Sequence, residues 1–140
     1  MEELSQSSLW FASAYLLVLV IGVLHTTFNV HVMRLPVRNE KGLGEAYSRT
    51  RRYHPIYNLI VYSYTGWLFM RATPYSSGML AIRTGIIWAL LAAICDMIFG
   101  VLIKHPFSQN FRQFYIEYQP WLALSYLAVF IGPLIGFALI

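Results

Sequence analysis

Residues 88–106 read WALLAAICDMIFGVLIKHP, and the reading of this stretch decides the fold. A run apolar and long enough to cross a bilayer carries one carboxylate, Asp96, eight residues before Lys104. An acid at the centre of a membrane helix costs roughly 2.5–3.5 kcal/mol, so a partner or a proton has to offset it.

The same apolar texture extends along the chain. Of its 140 residues 58% are hydrophobic and only 11% charged, with a mean hydropathy of +0.56. Soluble domains carry about a quarter charged residues. A span needs about 20 apolar residues. Runs at 9–32, 84–103 and 121–140 meet that length, and the shorter, tyrosine-rich run at 55–70 does so if Arg71 snorkels. The pattern predicts an all-α integral membrane protein, a four-helix transmembrane bundle forming a single domain over 1–140. Its spans fall at about 9–33, 55–71, 81–103 and 121–140. The first run is too long for the core of a secretion signal and follows the acidic MEELSQSS, so it is expected to persist as a span. Cys95 lies inside a span and has no second cysteine to pair with.

Charge placement sets an expected orientation. Arg34, Arg38, Lys41, Arg49, Arg51 and Arg52 lie between the first two runs, and Lys104 and Arg112 between the last two. Only Arg71 and Arg83 fall on the other side. The positive-inside bias then puts both basic segments in the cytoplasm and both termini on the non-cytoplasmic side. The positive charge reads as topogenic and headgroup-facing rather than as a nucleic-acid footprint. The expected partners are the lipid bilayer and either further copies of the chain or other membrane subunits.

The two halves rhyme. Met33-Arg34-Leu35-Pro36 and Ile103-Lys104-His105-Pro106 end the first and third runs, and Tyr53-His54-Pro55 and Tyr118-Gln119-Pro120 open the second and fourth. Two quasi-repeated helical hairpins would relate by a pseudo-twofold axis along the membrane normal. Between them lie segments with an amphipathic cast: Phe107, Phe111, Phe114, Tyr115 and Tyr118 in one, and Leu43, Ala46, Tyr47 and Tyr53 in the other, after Gly42 and Gly44. Both are expected as interfacial helices on the cytoplasmic leaflet.

Polar residues gather at one depth. At about 1.5 Å per residue, Asp96 and His25 both lie about 12–14 Å from Lys104 and Arg34, the basic residues that follow their spans. Asn29 follows His25 by one turn, and Tyr62 sits seven residues past Pro55. Asp96 shares a face with Gly85, Ala92 and Gly100, a small-residue stripe of the kind that packs helices closely in lipid. Gly132 and Gly136 form a comparable stripe in the last run. These placements put Asp96 inside the bundle, with His25, Tyr62 or Arg112 as its partner. Asp96, His25, Asn29 and Tyr62 are therefore the candidate ligand- or proton-binding residues, and Gly85, Ala92, Gly100, Gly132 and Gly136 the candidate packing residues.

No metal motif and no serine–histidine pairing is present, and no cofactor is named by the residues. Bis-histidine haem ligation would need His31 or His105 drawn inward beside His25. The expectation is a binding or transport-type module for a proton, cation or small polar ligand. The alternatives are an accessory subunit of a larger membrane complex and an enzyme acting on a lipid or haem-like substrate.

Overall fold

The computed structural model describes residues 2–40 and 42–140. Lys41, counted above among the cytoplasmic basic residues, lies outside the described residues. The chain is 76% helical. Helix α1 runs Glu2–His31, α2 Glu45–Ala72, α3 Gly78–Asp96, α4 Phe111–Tyr115 and α5 Trp121–Ala138. A short antiparallel pair, β1 (Arg38–Asn39) and β2 (Gly42–Leu43), joins α1 to α2.

Three helical stretches are long and apolar enough to cross a membrane: Ser5–His31, Gly78–Leu102 and Trp121–Ala138. Only 22% of the most apolar window of the second is buried, although its mean hydropathy is 2.3. Leu16, Val20, Leu24, Ile86, Leu90 and Ile94 all stand exposed. A surface this apolar suits hydrocarbon and not water.

α2 begins ten residues before Pro55, at Glu45, so residues 45–54 are its first turns rather than a separate interfacial helix. Two features bring this about. Gly42 adopts φ 127°, which only glycine takes without strain, and a Cβ on Gly44 would lie 2.2 Å from the carbonyl oxygen of Pro36. The hairpin therefore folds tightly back, and Ala46 and Gly44 donate to the Pro36 and Val37 carbonyls. α1 then holds the new turns, with Asn29 Nδ2 donating to the Ala46 carbonyl (3.1 Å) and to Thr50 Oγ1 (3.2 Å). Pro55 sits inside α2, where it costs one backbone hydrogen bond. The matching Pro120 instead caps the start of α5, so the two Tyr-x-Pro signatures occupy different structures.

α2 packs closely on α5. A Cβ on Gly66 would come 2.7 Å from Pro133 Cα, on Gly132 2.6 Å from Tyr62 Cβ, and on Gly136 2.3 Å from Trp67 N. The α5 stripe thus meets α2. Gly85 of α3 meets α5 at another point, the Phe130 carbonyl, 2.3 Å from its would-be Cβ. α1 packs on α2, and α3 on α5. α1 and α3 touch each other little, through Trp88 Nε1 donating to the Ser7 carbonyl (3.1 Å) and through Asp96. Trp88, fully buried, gathers the rings of Phe11, Tyr62 and Phe69 around it. A second cluster, Val101, Phe114, Tyr118 and Leu122, lies at the end that carries the basic segments, here called the basic end.

After Asp96 the helix widens into a π-helical turn, Met97–Leu102, closed by Ile103 N–H on the Ile98 carbonyl (2.8 Å). The segment that follows is helical only over Phe111–Tyr115, with Asn110 and Gln113 forming a capping box. Phe114 and Tyr118 turn into the protein while Phe107 and Phe111 stay outside. The expected continuous aromatic face is therefore split. Gly100 is its docking point, since the Phe114 ring lies 2.6 Å from where a Cβ would be.

Candidate functional site

Asp96 is the last residue of regular α3, and both of its carboxylate oxygens are engaged. Tyr15 of α1 donates to Oδ1 at 2.7 Å, and Tyr126 of α5 donates to Oδ2 at 3.0 Å. Among the described residues no Lys, Arg or His forms an ion pair with it. Arg112 pairs with Glu117 instead, at 3.6 Å.

Beside this carboxylate lies a cavity of about 440 Å³, lined on one side by Tyr15, Val18 and Gly22 of α1 and on the others by Asn58, Tyr62, Ala92, Leu122 and Val129. Along α1 its wall extends from Tyr15 to Thr27, about 18 Å at ~1.5 Å per residue. Asp96, Tyr62 and Tyr15 form the deep end, against the Trp88 cluster. Most of the remaining wall is apolar.

The basic end of the cavity is roofed by side chains locked together. The Arg51 guanidinium lies 3.8 Å from the Tyr118 ring centroid, and the Tyr118 hydroxyl and His54 Nδ1 share a hydrogen bond of 2.8 Å. Gln109 Nε2 reaches the Tyr47 hydroxyl at 3.4 Å. Burial pushes the Tyr47 and Tyr118 phenols above the usual tyrosine range, with Arg51 opposing it, so both stay neutral at physiological pH. The side between α1 and the π-helical turn is different. Its rim includes Leu19, Val23, Phe99 and Phe107, which are 46%, 64%, 52% and 49% exposed, and nearer the basic end the exposed Thr27 and His105. Gln109, Phe114 and Tyr118 bury most of the basic end, and the exposed lining between α1 and the π-helical turn is apolar at Leu19, Val23, Phe99 and Phe107 and polar at Thr27 and His105.

Of the expected site residues, Asp96 and Tyr62 come together at this cavity. His25 does not join them. It bonds to Tyr57 and meets the Tyr53 ring edge-on on the α1–α2 face, and it is not part of the cavity wall. Asn29 is a packing residue that fixes the start of α2. Ala92 and Gly100 line the cavity, while Gly85, Gly132 and Gly136 set helix contacts. Tyr15 was not among the expected residues, nor was His54 as part of a roof. Depth counted from the helix ends pairs Asp96 with His25. That count fails because Tyr15 lies about 24 Å from the end of α1 at ~1.5 Å per residue, so the ends of α1 and α3 are not level. A tyrosine interrupting an aliphatic run was the available signal.

Compared with protein-family models, curated proteins and solved structures, the chain matches none. Among the described residues no three His, Cys, Asp or Glu side chains converge as a metal site would require.

Proposed function

We propose that the chain is a four-span membrane protein, crossing with α1, α2, α3 and α5, in which Asp96 holds a cation, a proton or the polar group of a small ligand. The basic end faces the cytoplasm and both termini the opposite side, in keeping with the Lys/Arg distribution. The observation that carries the reading is a carboxylate with two phenol donors and no ion-pair partner among the described residues, at the deep end of a cavity. An acid within a span is a functional residue by default, and this one has space beside it. The cavity ends against the Trp88 cluster, which favours a binding module, or one state of a transporter, over an open pore.

The accessory-subunit reading has less support. Gly66, Gly85, Gly132 and Gly136 are all used in contacts within the chain, so these small residues are not left over for docking to another subunit.

The test is native mass spectrometry of the protein purified in mild detergent. Wild type is expected to carry a small-molecule adduct that Asp96→Asn loses while staying folded. Identical spectra for the two folded proteins would count against the reading.

A further inference from the structure

We propose that the Asp96 chamber takes a single-chain cationic amphiphile, an ammonium head on a hydrocarbon tail, admitted sideways between α1 and the π-helical turn. The inference rests on the binding reading above and adds the class of ligand.

The head is argued from charge. A carboxylate offers about four acceptor positions, and Tyr15 and Tyr126 occupy two of them. The nearby cations are engaged elsewhere: Arg51 on the Tyr118 ring, Arg112 on Glu117, and Lys104 Nζ on the Val101 carbonyl. A carboxylate left without a counter-charge among apolar walls is costly, and an ammonium supplies both the charge and N–H donors for the free acceptor positions. Tyr15, Tyr62 and Tyr126 line the same end of the cavity, and their ring faces attract a cation. A phosphate or carboxylate head would instead meet Asp96 as a like charge.

The tail is argued from the opening. The roof of Gln109, Phe114 and Tyr118 is buried, whereas the rim residues Leu19, Val23 and Phe99 are exposed and apolar. A hydrophilic cation coming from water would enter past the exposed Thr27 and His105 and then cross mostly apolar wall to reach Asp96. An amphiphile dissolved in the bilayer meets an apolar gap continuous with its own surroundings, and its tail can remain there while the head reaches Asp96.

The experiment uses the full chain in phosphatidylcholine nanodiscs, with empty discs as control. The probes are dodecylammonium, dodecanol, dodecanoate and the tail-less methylammonium. Dodecylammonium is expected to bind saturably, and at least about tenfold more weakly in Asp96→Asn. Dodecanol and dodecanoate are expected to bind weakly and equally in both proteins. Val23→Trp, at an exposed rim position, should weaken dodecylammonium by narrowing the gap. Dodecanol or dodecanoate binding as tightly as the amine overturns the ligand class. Methylammonium matching dodecylammonium, or Val23→Trp binding the amine as wild type does, overturns the sideways amphiphile. Both results leave an Asp96 site standing. No Asp96-dependent binding of any probe overturns this inference and the binding reading together. Should Asp96→Asn fail to fold, the probe series on wild type and Val23→Trp decides alone.

Discussion

Tyr15 donates a 2.7 Å hydrogen bond to Asp96 across 81 residues of sequence, tying α1 to α3 where these helices otherwise touch little. Hydrogen bonds to a charged group contribute about 1.5–3 kcal/mol. Tyr15→Phe is expected to lower stability by about that amount in detergent unfolding. In a double-mutant cycle, Tyr15→Phe and Asp96→Asn should be coupled, because Asp96→Asn turns into a weaker neutral bond the one that Tyr15→Phe removes. His25→Gln and Asp96→Asn should be additive, since His25 bonds to Tyr57. The reverse pattern would contradict the assignment of Asp96's partners.

The α2–α5 contact should be intolerant of a single added methyl group. Gly136→Ala would place a carbon 2.3 Å from Trp67 N, against backbone that has no room to move. A loss of about 1–3 kcal/mol or more is expected. Gly78→Ala, whose new carbon meets nothing nearer than the Phe137 ring at 3.7 Å, should be close to neutral. Thermal unfolding of the two variants side by side checks the contrast.

The segment after Pro106 offers a paired test of its fold. Phe114 is buried against Gly100 and stands edge-on to Tyr118, whereas Phe111 is 56% exposed. Phe114→Ala is expected to cost about 3–5 kcal/mol. Phe111→Ala should cost only its ring contact with Tyr115, about 1 kcal/mol. Equal effects would mean that the segment does not dock as described.

Orientation can be read by cysteine labelling in a Cys95→Ala background. A cysteine at Asn39, in the exposed hairpin, should be protected from an impermeant thiol reagent added outside intact cells. One at Tyr75, 88% exposed in the α2–α3 turn, should react. The opposite result would invert the topology.

The long apolar runs made the helices legible, because an apolar run of about 20 residues in a bilayer has to satisfy its backbone polar groups within a helix. The continuity of α2 was not legible. Pro55 suits a first helical turn, and the tight hairpin at Gly42 and Gly44, with the contacts of Asn29 and Thr26 to Thr50 and Ala46, joins the helix expected before Pro55 to the span after it. Asp96 stood out as an acid within a span, but its partners did not. Matching polar residues by depth assumes level helix ends and leaves rotation about the axis undetermined, and tyrosines in a span look like ordinary apolar filling until their hydroxyls find an acceptor. The glycines of α5 were legible as a packing stripe, while the helix they pack against was not, because a stripe of small residues does not encode its partner.

The central claim is that Asp96 lies in a chamber reached from the apolar side of the molecule. Its most direct test is modification by carbodiimides in nanodiscs, with the labelled peptide mapped by mass spectrometry. An apolar reagent, dicyclohexylcarbodiimide, is expected to form a covalent adduct on Asp96, absent in Asp96→Asn. A water-soluble carbodiimide is expected to react there far more slowly, because most of the wall that leads to Asp96 is apolar. Asp96 left untouched by the apolar reagent, or modified faster by the water-soluble one, would contradict the account.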